Sequence, residues 1–545
     1  MRPAHGSLAK SEYLLPAIIC DTGSVSIFRH KPDVKGHDMT APYTEWVSLG
    51  GNNEDDIGGN CHLVTYFDGK HAHSILVDAG NKFSKVPGYD QFFPILPKGV
   101  KATFCTHGHL DHIGATAHLL NHGLPVPPAV YGSSMSLNVM RIQLGRVYGN
   151  ENPWPHLHDM EPREAVNVGH IRVEGVSVSH SIPQAMGFYV VTPTARLLFT
   201  GDCKWDTQLP IKPVTDVNGL QRIGDRGLEA LFLDSTRCQV PGFTRPEQDV
   251  RDEIRAQVLA NPQVDEFIMP VMSTSVQRMA VLAELSQEMN IPIIYEGRSI
   301  EDMLEAAKRS KIDLKKMYPG ARIMNARSFQ GQEMIKQGIR HFHMGTGTQG
   351  EENAFFARAM RGESQNVRLN QAKTLVLFLA SVIPGNEAAC EPQFAKLREM
   401  GIRYVLIHTS GHGSAEDLLK YGEVTKPRVL FPVHGSRAHI DHHASIQQEA
   451  GRKVQMAMNG DRWRWDGKGQ TPYYAGHIDT KALACKEMGQ KWVTNPKSKT
   501  GQEVLRNIYE YKIVDSWDAP KTESGIVLPA KKKIVLAGME PVGPK

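Results

Sequence analysis

Between Thr106 and His112 the chain reads Thr-His-Gly-His-Leu-Asp-His, four potential metal ligands within six residues. An apolar run, Ala102-Thr-Phe-Cys-Thr106, precedes this stretch, and an apolar helical pattern over Ile113–Leu120 follows it. That order predicts a buried strand, a tight loop and a helix, with the chemistry carried by the loop. Histidines at i and i+2 followed by Asp-His can aim imidazoles and a carboxylate at two adjacent points. Such nitrogen and oxygen donors suit zinc or manganese. The bland alternative is a histidine-rich helix start, which the density of the motif outweighs.

Three later stretches supply what the motif lacks: Val178-Ser-His180-Ser-Ile-Pro183, Phe199-Thr-Gly-Asp202 and Phe431-Pro-Val-His434-Gly435. Each sets its histidine or carboxylate just past a predicted strand. Taken singly, each is more often a structural turn. Together they complete the eight bonds that two metals need if Asp202 bridges. Metals so bridged sit ~3.5–4 Å apart and activate a shared water whose pKa falls towards roughly 7.

The rest of the 545 residues must be divided among two or three cores. From Tyr43 to Asp234 short apolar runs such as Ser74–Asp78, Arg196–Thr200 and Ala230–Asp234 recur between turn signals. From Pro246 the pattern alternates: helix Gln248–Ala260, strand Glu266–Val271, helix Gln277–Met289, strand Pro292–Tyr295. Alternation of that kind predicts an α/β unit on a parallel sheet. Strands return at Tyr404–His408 and Val429–His434. The expected division is an N-terminal extension (1–42), a first domain in two parts (43–237 and 404–470), an inserted domain (238–403) and a small C-terminal domain (471–545). A net charge of +4 neither demands nor excludes nucleic acid, since a phosphate groove needs only local positive charge. The seven cysteines are scattered without a C-x-x-C pair, which fits a reducing cytosol. The run Tyr13–Ile19 is too short and too interrupted for a signal peptide, and Thr374–Ile383 is too short to span a membrane. A cytoplasmic protein is expected.

The order LVDAG, HGHLDH, HSIP, FTGD resembles the metallo-β-lactamase superfamily. Further segments resemble its β-CASP nucleases and, within them, the ribonuclease J family. These are Asp234-Ser-Thr with Pro241-Gly-Phe-Thr, Gly345-Thr-Gly-Thr-Gln-Gly-Glu351, Ile383-Pro-Gly-Asn-Glu387, Ser410-Gly-His-Gly-Ser414 and Pro432-Val-His-Gly435. The resemblance implies an α/β fold, a metallo-β-lactamase αββα sandwich with an inserted α/β β-CASP domain and a small C-terminal segment. It assigns His107, His109, His180 and Asp202 to one metal, and Asp111, His112, Asp202 and His434 to the other. Asp234 and His412 match an acid and a histidine beyond the metals, and His412 is expected to protonate the leaving oxygen. Asp78 is expected to orient a ligand rather than to be one. A phosphate pocket is expected from Arg278, Gly345, Thr346, Gly347, Thr348, Gln349 and Gly350, with the Ser410 and Ser414 hydroxyls. The cofactors implied are two Zn2+, with Mn2+ or Mg2+ as substitutes, and the partner is RNA. The family's C-terminal domain implies a homodimer or homotetramer. The sequence departs from the family in an expanded Gly50–Gly58, in Gly413 for alanine, in Ser436 for an acidic residue and after Gln470.

The activity implied is 5′-to-3′ exonucleolytic hydrolysis of RNA, with endonucleolytic cutting as a second mode. A β-CASP nuclease acting on DNA is the main alternative. Artemis-type DNA nucleases typically carry an apolar residue where this chain has His434. A lactonase or thioesterase of the same fold leaves the long insertion unexplained, and a silent binding protein does not fit a full ligand set. Other tempting residues carry simpler readings. His439, His442 and His443 read as a solvated helix face, and His341 and His343 as structural or substrate-edge residues on one strand face. Cys105 and Cys203 read as small strand fillers, and Trp463 and Trp465 as packing residues.

Overall fold

A computed structural model describes residues 40–83, 88–151, 154, 156–383, 386–494 and 503–514. Most of the N-terminal extension, Pro384-Gly385 and the chain after 514 lie outside the described residues.

Two sheets face each other to make the first domain. One has eight strands in the order Tyr473–His477, Asp461–Trp465, Tyr43–Gly50, Cys61–Phe67, Ala72–Val77, Val100–Cys105, Ala129–Gly132 and Leu157–Asp159. The other has six, in the order Ala165–Val168, Ile171–Ser177, Met186–Val191, Arg196–Phe199, Ala230–Asp234 and Val429–Val433. Inward-facing residues of both, among them Trp46, Val64, Val77, Phe104, Phe188, Leu197 and Phe431, form one buried core. Trp463 and Trp465, two apart and so on one face of their strand, pack against Phe431 with ring centroids 5.3 and 6.2 Å away.

The segment between Asp234 and Val429 builds a third, six-stranded sheet in which every pairing is parallel. Its order is Ile323–Asn325, Ile293–Glu296, His341–Gly345, Glu266–Pro270, Thr374–Phe378 and Tyr404–Leu406. Helices Glu247–Ala260 and Val276–Met289 begin within a residue of where the apolar pattern places them. The expected boundary at 404 needs correction. Tyr404–Leu406 pairs with Val376–Phe378 at the edge of the inserted sheet, and the chain re-enters the sandwich at Val429. A three-residue apolar strand says nothing of which edge it completes.

The boundary at 471 also moves. Tyr473–His477 completes the edge of the eight-stranded sheet, and the hairpin of Ala482–Thr494 and Glu503–Val514 pairs with Gln91–Pro94. Leu483, Cys485 and Tyr511 are buried with Phe93, Leu96 and Leu119 of the first domain. Tyr511 Oη accepts from Asn121 Nδ2 at 3.1 Å and lies 3.0 Å from His118 Nδ1. The described C-terminal residues are thus continuous with the sandwich.

Candidate metal centre

An aromatic ladder sets the depth at which three site residues emerge. Phe199, Phe232 and Phe431 are register partners on three adjacent parallel strands. Their rings stack at 4.2 and 5.1 Å between centroids, with interplanar angles of 3° and 15°. Each such pair adds about 0.5–1.5 kcal/mol beyond burial and resists slippage of the register. Asp202, Asp234 and His434 follow these rings by two or three residues and so reach the same end of the sheet. Gly201, at φ +59°, lets the chain turn there; a Cβ at this position would lie 2.6 Å from Thr106 Cβ. On the facing sheet, the Val100–Cys105 strand delivers His107, and the His109 carbonyl starts the short helix Leu110–Ile113 by accepting from His112 N and Ile113 N.

Asp202 stands at the centre, 2% exposed, and its two oxygens face different donors. Oδ2 lies 3.4 Å from His107 Nε2 and 3.7 Å from His180 Nε2. Oδ1 lies 3.0 Å from His112 Nε2 and 3.3 Å from His434 Nε2. His109 joins the first set, with Nδ1 3.2 Å from His180 Nε2. Asp111 joins the second, with Oδ2 3.6 Å from His112 Nε2 and 3.7 Å from His434 Nε2. Three overlapping donor groups share Asp202: His107, His109, His180 and Asp202; Asp111, His112, Asp202 and His434; and Asp202, Asp234, His412 and His434, in the last of which His412 Nδ1 is already committed to Asp234 at 2.8 Å. His107 Nε2, His109 Nε2 and Asp202 Oδ1 are buried without a hydrogen-bond partner. Orphaned buried polar atoms are costly; cations in the first two groups would satisfy His107 Nε2 and Asp202 Oδ1, while His109 turns Nδ1 rather than Nε2 toward the first group. The donor set fits a metal cofactor. Burial raises the Asp202 carboxyl, but the field of His112, His434, His412 and His107 outweighs it and holds the group well below the usual carboxylate range.

Partners outside these donor groups fix the imidazoles. Asp78 Oδ2 accepts from His112 Nδ1 at 2.8 Å, and its other oxygen accepts from Thr106 N at 2.8 Å. The Gly411 carbonyl accepts from His180 Nδ1 at 2.8 Å. In both rings this leaves Nε2 free to face the centre. Asp78 and His434 take positive φ, 63° and 58°, a strain of about 1–2 kcal/mol that their side-chain contacts offset. Asn60 was not anticipated. Its amide nitrogen lies 2.7 Å from His434 Nδ1 and 3.0 Å from His112 Nε2. An asparagine after two glycines reads in sequence as an ordinary turn.

His412 stands beside the first two groups. Its Nδ1 donates to Asp234 Oδ2 at 2.8 Å, while Nε2 lies 3.8 Å from Asp202 Oδ2. Burial disfavours its charge, but Asp234 and Asp202 outweigh that and raise the imidazole to about 9. The His412 and Asp111 side chains are 21% and 28% exposed, whereas Asp202 and His107 are at most 2%. Solvent therefore reaches the centre from the side of His412 and Asp111.

The expected phosphate pocket needs correction in two residues. Arg278 is 1% exposed, with Nε and Nη2 donating to Glu247 at 2.8 and 3.2 Å and Nη1 donating to the Leu379 carbonyl at 3.0 Å. Burial pushes Glu247 up, and Arg278 outweighs it, so the carboxyl stays below its ordinary range. The guanidinium is thus committed inside the protein, where Nη2 also reaches the Thr409 carbonyl at 3.5 Å, next to the loop that carries His412. Arg278→Ala is expected to destabilise the protein by about 3–5 kcal/mol, because it leaves Glu247 buried and unpaired. A urea midpoint equal to that of wild type would refute this. Ser414 is likewise buried, forming a capping box with Asp417 at the start of helix Ala415–Thr425 and accepting from Arg237 Nε at 3.1 Å.

Ser410 is half-buried, and its Oγ accepts from His412 N at 3.0 Å, which leaves its own proton to donate. In the glycine-rich loop, Gly347 and Gly350 adopt positive φ and Thr348 is 2% exposed. Gln349 bridges outward, donating to the Ser381 carbonyl at 2.9 Å and accepting from Ile383 N at 2.8 Å. The expected solvated histidine face also needs correction: His442 is exposed and His439 half-buried, but His443 is fully buried between Ser235 Oγ and Gln447.

Comparison with known proteins agrees with this geometry. Family models match as "Beta-lactamase superfamily domain" over residues 73–217, "Ribonuclease J, beta-CASP domain" over 265–397 and "Zn-dependent metallo-hydrolase RNA specificity domain" over 399–457. Ribonuclease J of Sinorhizobium meliloti is 30% identical over 444 residues, covering 79% of this chain and 76% of its own length. Ribonuclease J of Pyrococcus abyssi is 30% identical over 381 residues (67% and 82%), and ribonuclease J2 of Bacillus subtilis 26% over 419 (75% and 72%). A crystal structure of a protein of unknown function from Enterococcus faecalis shares the fold, with a TM-score of 0.54 at 16% identity, covering 77% of this chain and 99% of that one. The sandwich is a metallo-β-lactamase domain, the parallel sheet is its β-CASP insertion, and the chain belongs to the ribonuclease J family.

Proposed function

We propose that this chain hydrolyses RNA phosphodiester bonds at a dinuclear zinc centre, acting from the 5′ end and, as a second mode, internally. The observation that carries this reading is the division of the Asp202 carboxylate between two donor sets, with the Asp234–His412 pair alongside. Two cations held there supply Lewis-acid polarisation of the phosphoryl group and acidify water. The protein's own contribution is orientation and proton supply. Asp78, Asn60 and the Gly411 carbonyl hold the imidazoles in place. His412, with Nδ1 committed to Asp234, carries at Nε2 the proton for the departing oxygen. RNA rather than DNA is favoured by the relatives' names and by the retention of His434. No helix among the described residues is long and apolar enough to cross a membrane, and the six described cysteines are free and buried. The buried free thiols fit the reducing, cytoplasmic site of action we propose. Assembly as a homodimer or homotetramer is proposed from the family alone.

A 5′ anchor follows from the loops that remain available. The donors we assign to a terminal monophosphate, whose extra charge an internal phosphodiester lacks, are the Ser410 hydroxyl and backbone N–H groups of the loop after Gly345. The N–H of Gln349 is excepted, since it donates to Glu351 Oε2 at 2.8 Å. Each charge-assisted contact is worth about 1.5–3 kcal/mol, so monophosphorylated RNA should be degraded roughly tenfold to a hundredfold faster than RNA with a 5′ hydroxyl. The test is labelled RNA with monophosphate, triphosphate or hydroxyl ends beside matched DNA. Equal rates on all three RNA ends would remove the anchor, and faster cutting of DNA would remove the RNA assignment.

A further inference from the structure

A second histidine–carboxylate cluster lies in the inserted domain, built on two adjacent parallel strands. His341 and His343 are two apart on one strand and therefore share a face. Glu266 is the register partner of His341 on the next strand, so its side chain rises from the same face. Glu266 Oε1 lies 3.1 Å from His343 Nδ1 and 3.7 Å from His341 Nε2. His343 is fully buried, and His341 is 5% exposed.

The hydrogen-bond pattern within this cluster is incomplete. His341 Nδ1 donates to the Ile339 carbonyl at 2.8 Å, while its Nε2 is buried with no hydrogen-bond partner. A lone pair on that Nε2 would face a carboxylate oxygen across a buried gap, and a proton there would have no aligned acceptor. Both states are unfavourable in a low-dielectric interior. A cation between the three atoms resolves the conflict. Zinc bonds of about 2.0–2.2 Å place the ligand atoms of a tetrahedral site roughly 3.3 Å apart. The two separations from Glu266 Oε1, 3.1 and 3.7 Å, straddle that spacing.

The surroundings support the same arrangement. Phe355 stacks on the His343 ring at 4.7 Å and 26°, which fixes its plane. With Nδ1 turned to Glu266, His343 Nε2 faces Glu296 Oε2 at 3.9 Å. Glu296 is itself held by Arg358, whose Nη2 donates to its other oxygen at 2.6 Å. At 3.9 Å from His343 Nε2 no hydrogen bond forms: Glu296 Oε2 accepts instead from Asn366 Nδ2 at 2.8 Å, and His343 Nε2 is, like His341 Nε2, buried without a partner.

We propose that Glu266, His341 and His343 bind a divalent transition-metal ion, most favourably Zn2+, at a structural site separate from the Asp202 centre. Glu266 and His341 each begin their strand, opposite the end from which the Gly345–Gly350 loop leaves. An ion there clasps the two central strands of the sheet.

The experiment counts metal in the Asp202→Asn chain, which impairs the other centre and makes the result independent of how that centre works. The protein is stripped with chelator, reloaded with Zn2+, dialysed and analysed by mass spectrometry. Adding His341→Gln should lower the content by one equivalent per chain, and Glu266→Gln should do the same. Zn2+ should also raise the melting temperature of Asp202→Asn, and by less once His341 is replaced. Should either variant fail to fold, this Zn2+ response of the Asp202→Asn parent decides: its absence overturns the site. Equal metal content with and without His341 in folded protein also overturns it.

Discussion

Replacement of Asp202 by asparagine is expected to abolish hydrolysis and to lower metal content, the largest loss from any conservative change in the centre. Asp202 is the one residue common to all three donor groups of the centre, whereas His434 belongs to two and the others to one. Its oxygens divide their neighbours, with His107 and His180 on the Oδ2 side and His112 and His434 on the Oδ1 side. Asparagine keeps the shape but removes the charge and turns one oxygen into an NH2 group, which cannot ligate. Loss of cation stabilisation at a phosphoryl centre is worth several kcal/mol, so the rate should fall by about 10³ or more. Purified Asp202→Asn that keeps two metals and turns over near the wild-type rate would remove the bridging assignment.

The residues of the proposed metal centre can be picked out in the sequence for a physical reason. Each lies just after a short apolar run or in the loop and helix start that follow one, and a buried strand must deliver the residues that follow it to the sheet's end. The Phe199, Phe232 and Phe431 ladder then aligns three of those ends. The fold class followed from the change between strand runs and helix–strand alternation near Pro246. What sequence did not yield depends on partners far apart in the chain. Arg278 reads in sequence as a phosphate ligand, but Glu247, from a different helix, occupies its guanidinium. Ser414 beside His412 suggested a substrate hydroxyl, but it caps the helix that begins at Ala415. His443 shares a helix with exposed His442 but turns inward to Ser235. Tyr404–Leu406 has nothing in its composition to say that it extends the inserted sheet rather than the sandwich.

His412→Ala is expected to slow hydrolysis by roughly 10²–10⁴ while leaving metal content unchanged, and this separates proton supply from ligation. The imidazole touches the centre only at its margin, 3.8 Å from Asp202, and its firm contact is with Asp234 at 2.8 Å. Asp234 fixes the tautomer and ring plane, so Nε2 presents its proton on the side open to solvent. Burial opposes the imidazolium, but Asp234 and Asp202 outweigh it and raise the group to about 9, which favours the protonated ring. Bound cations would lower that value. A general acid must be protonated to act, so the wild-type rate should fall as pH rises through the loaded enzyme's value. His412→Ala should lose that alkaline fall along with most of the rate. Asp234→Asn should weaken the same step by releasing the imidazole, again without loss of metal. If His412→Ala instead loses one metal equivalent, then His412 is a ligand and its role has been exchanged with that of His434.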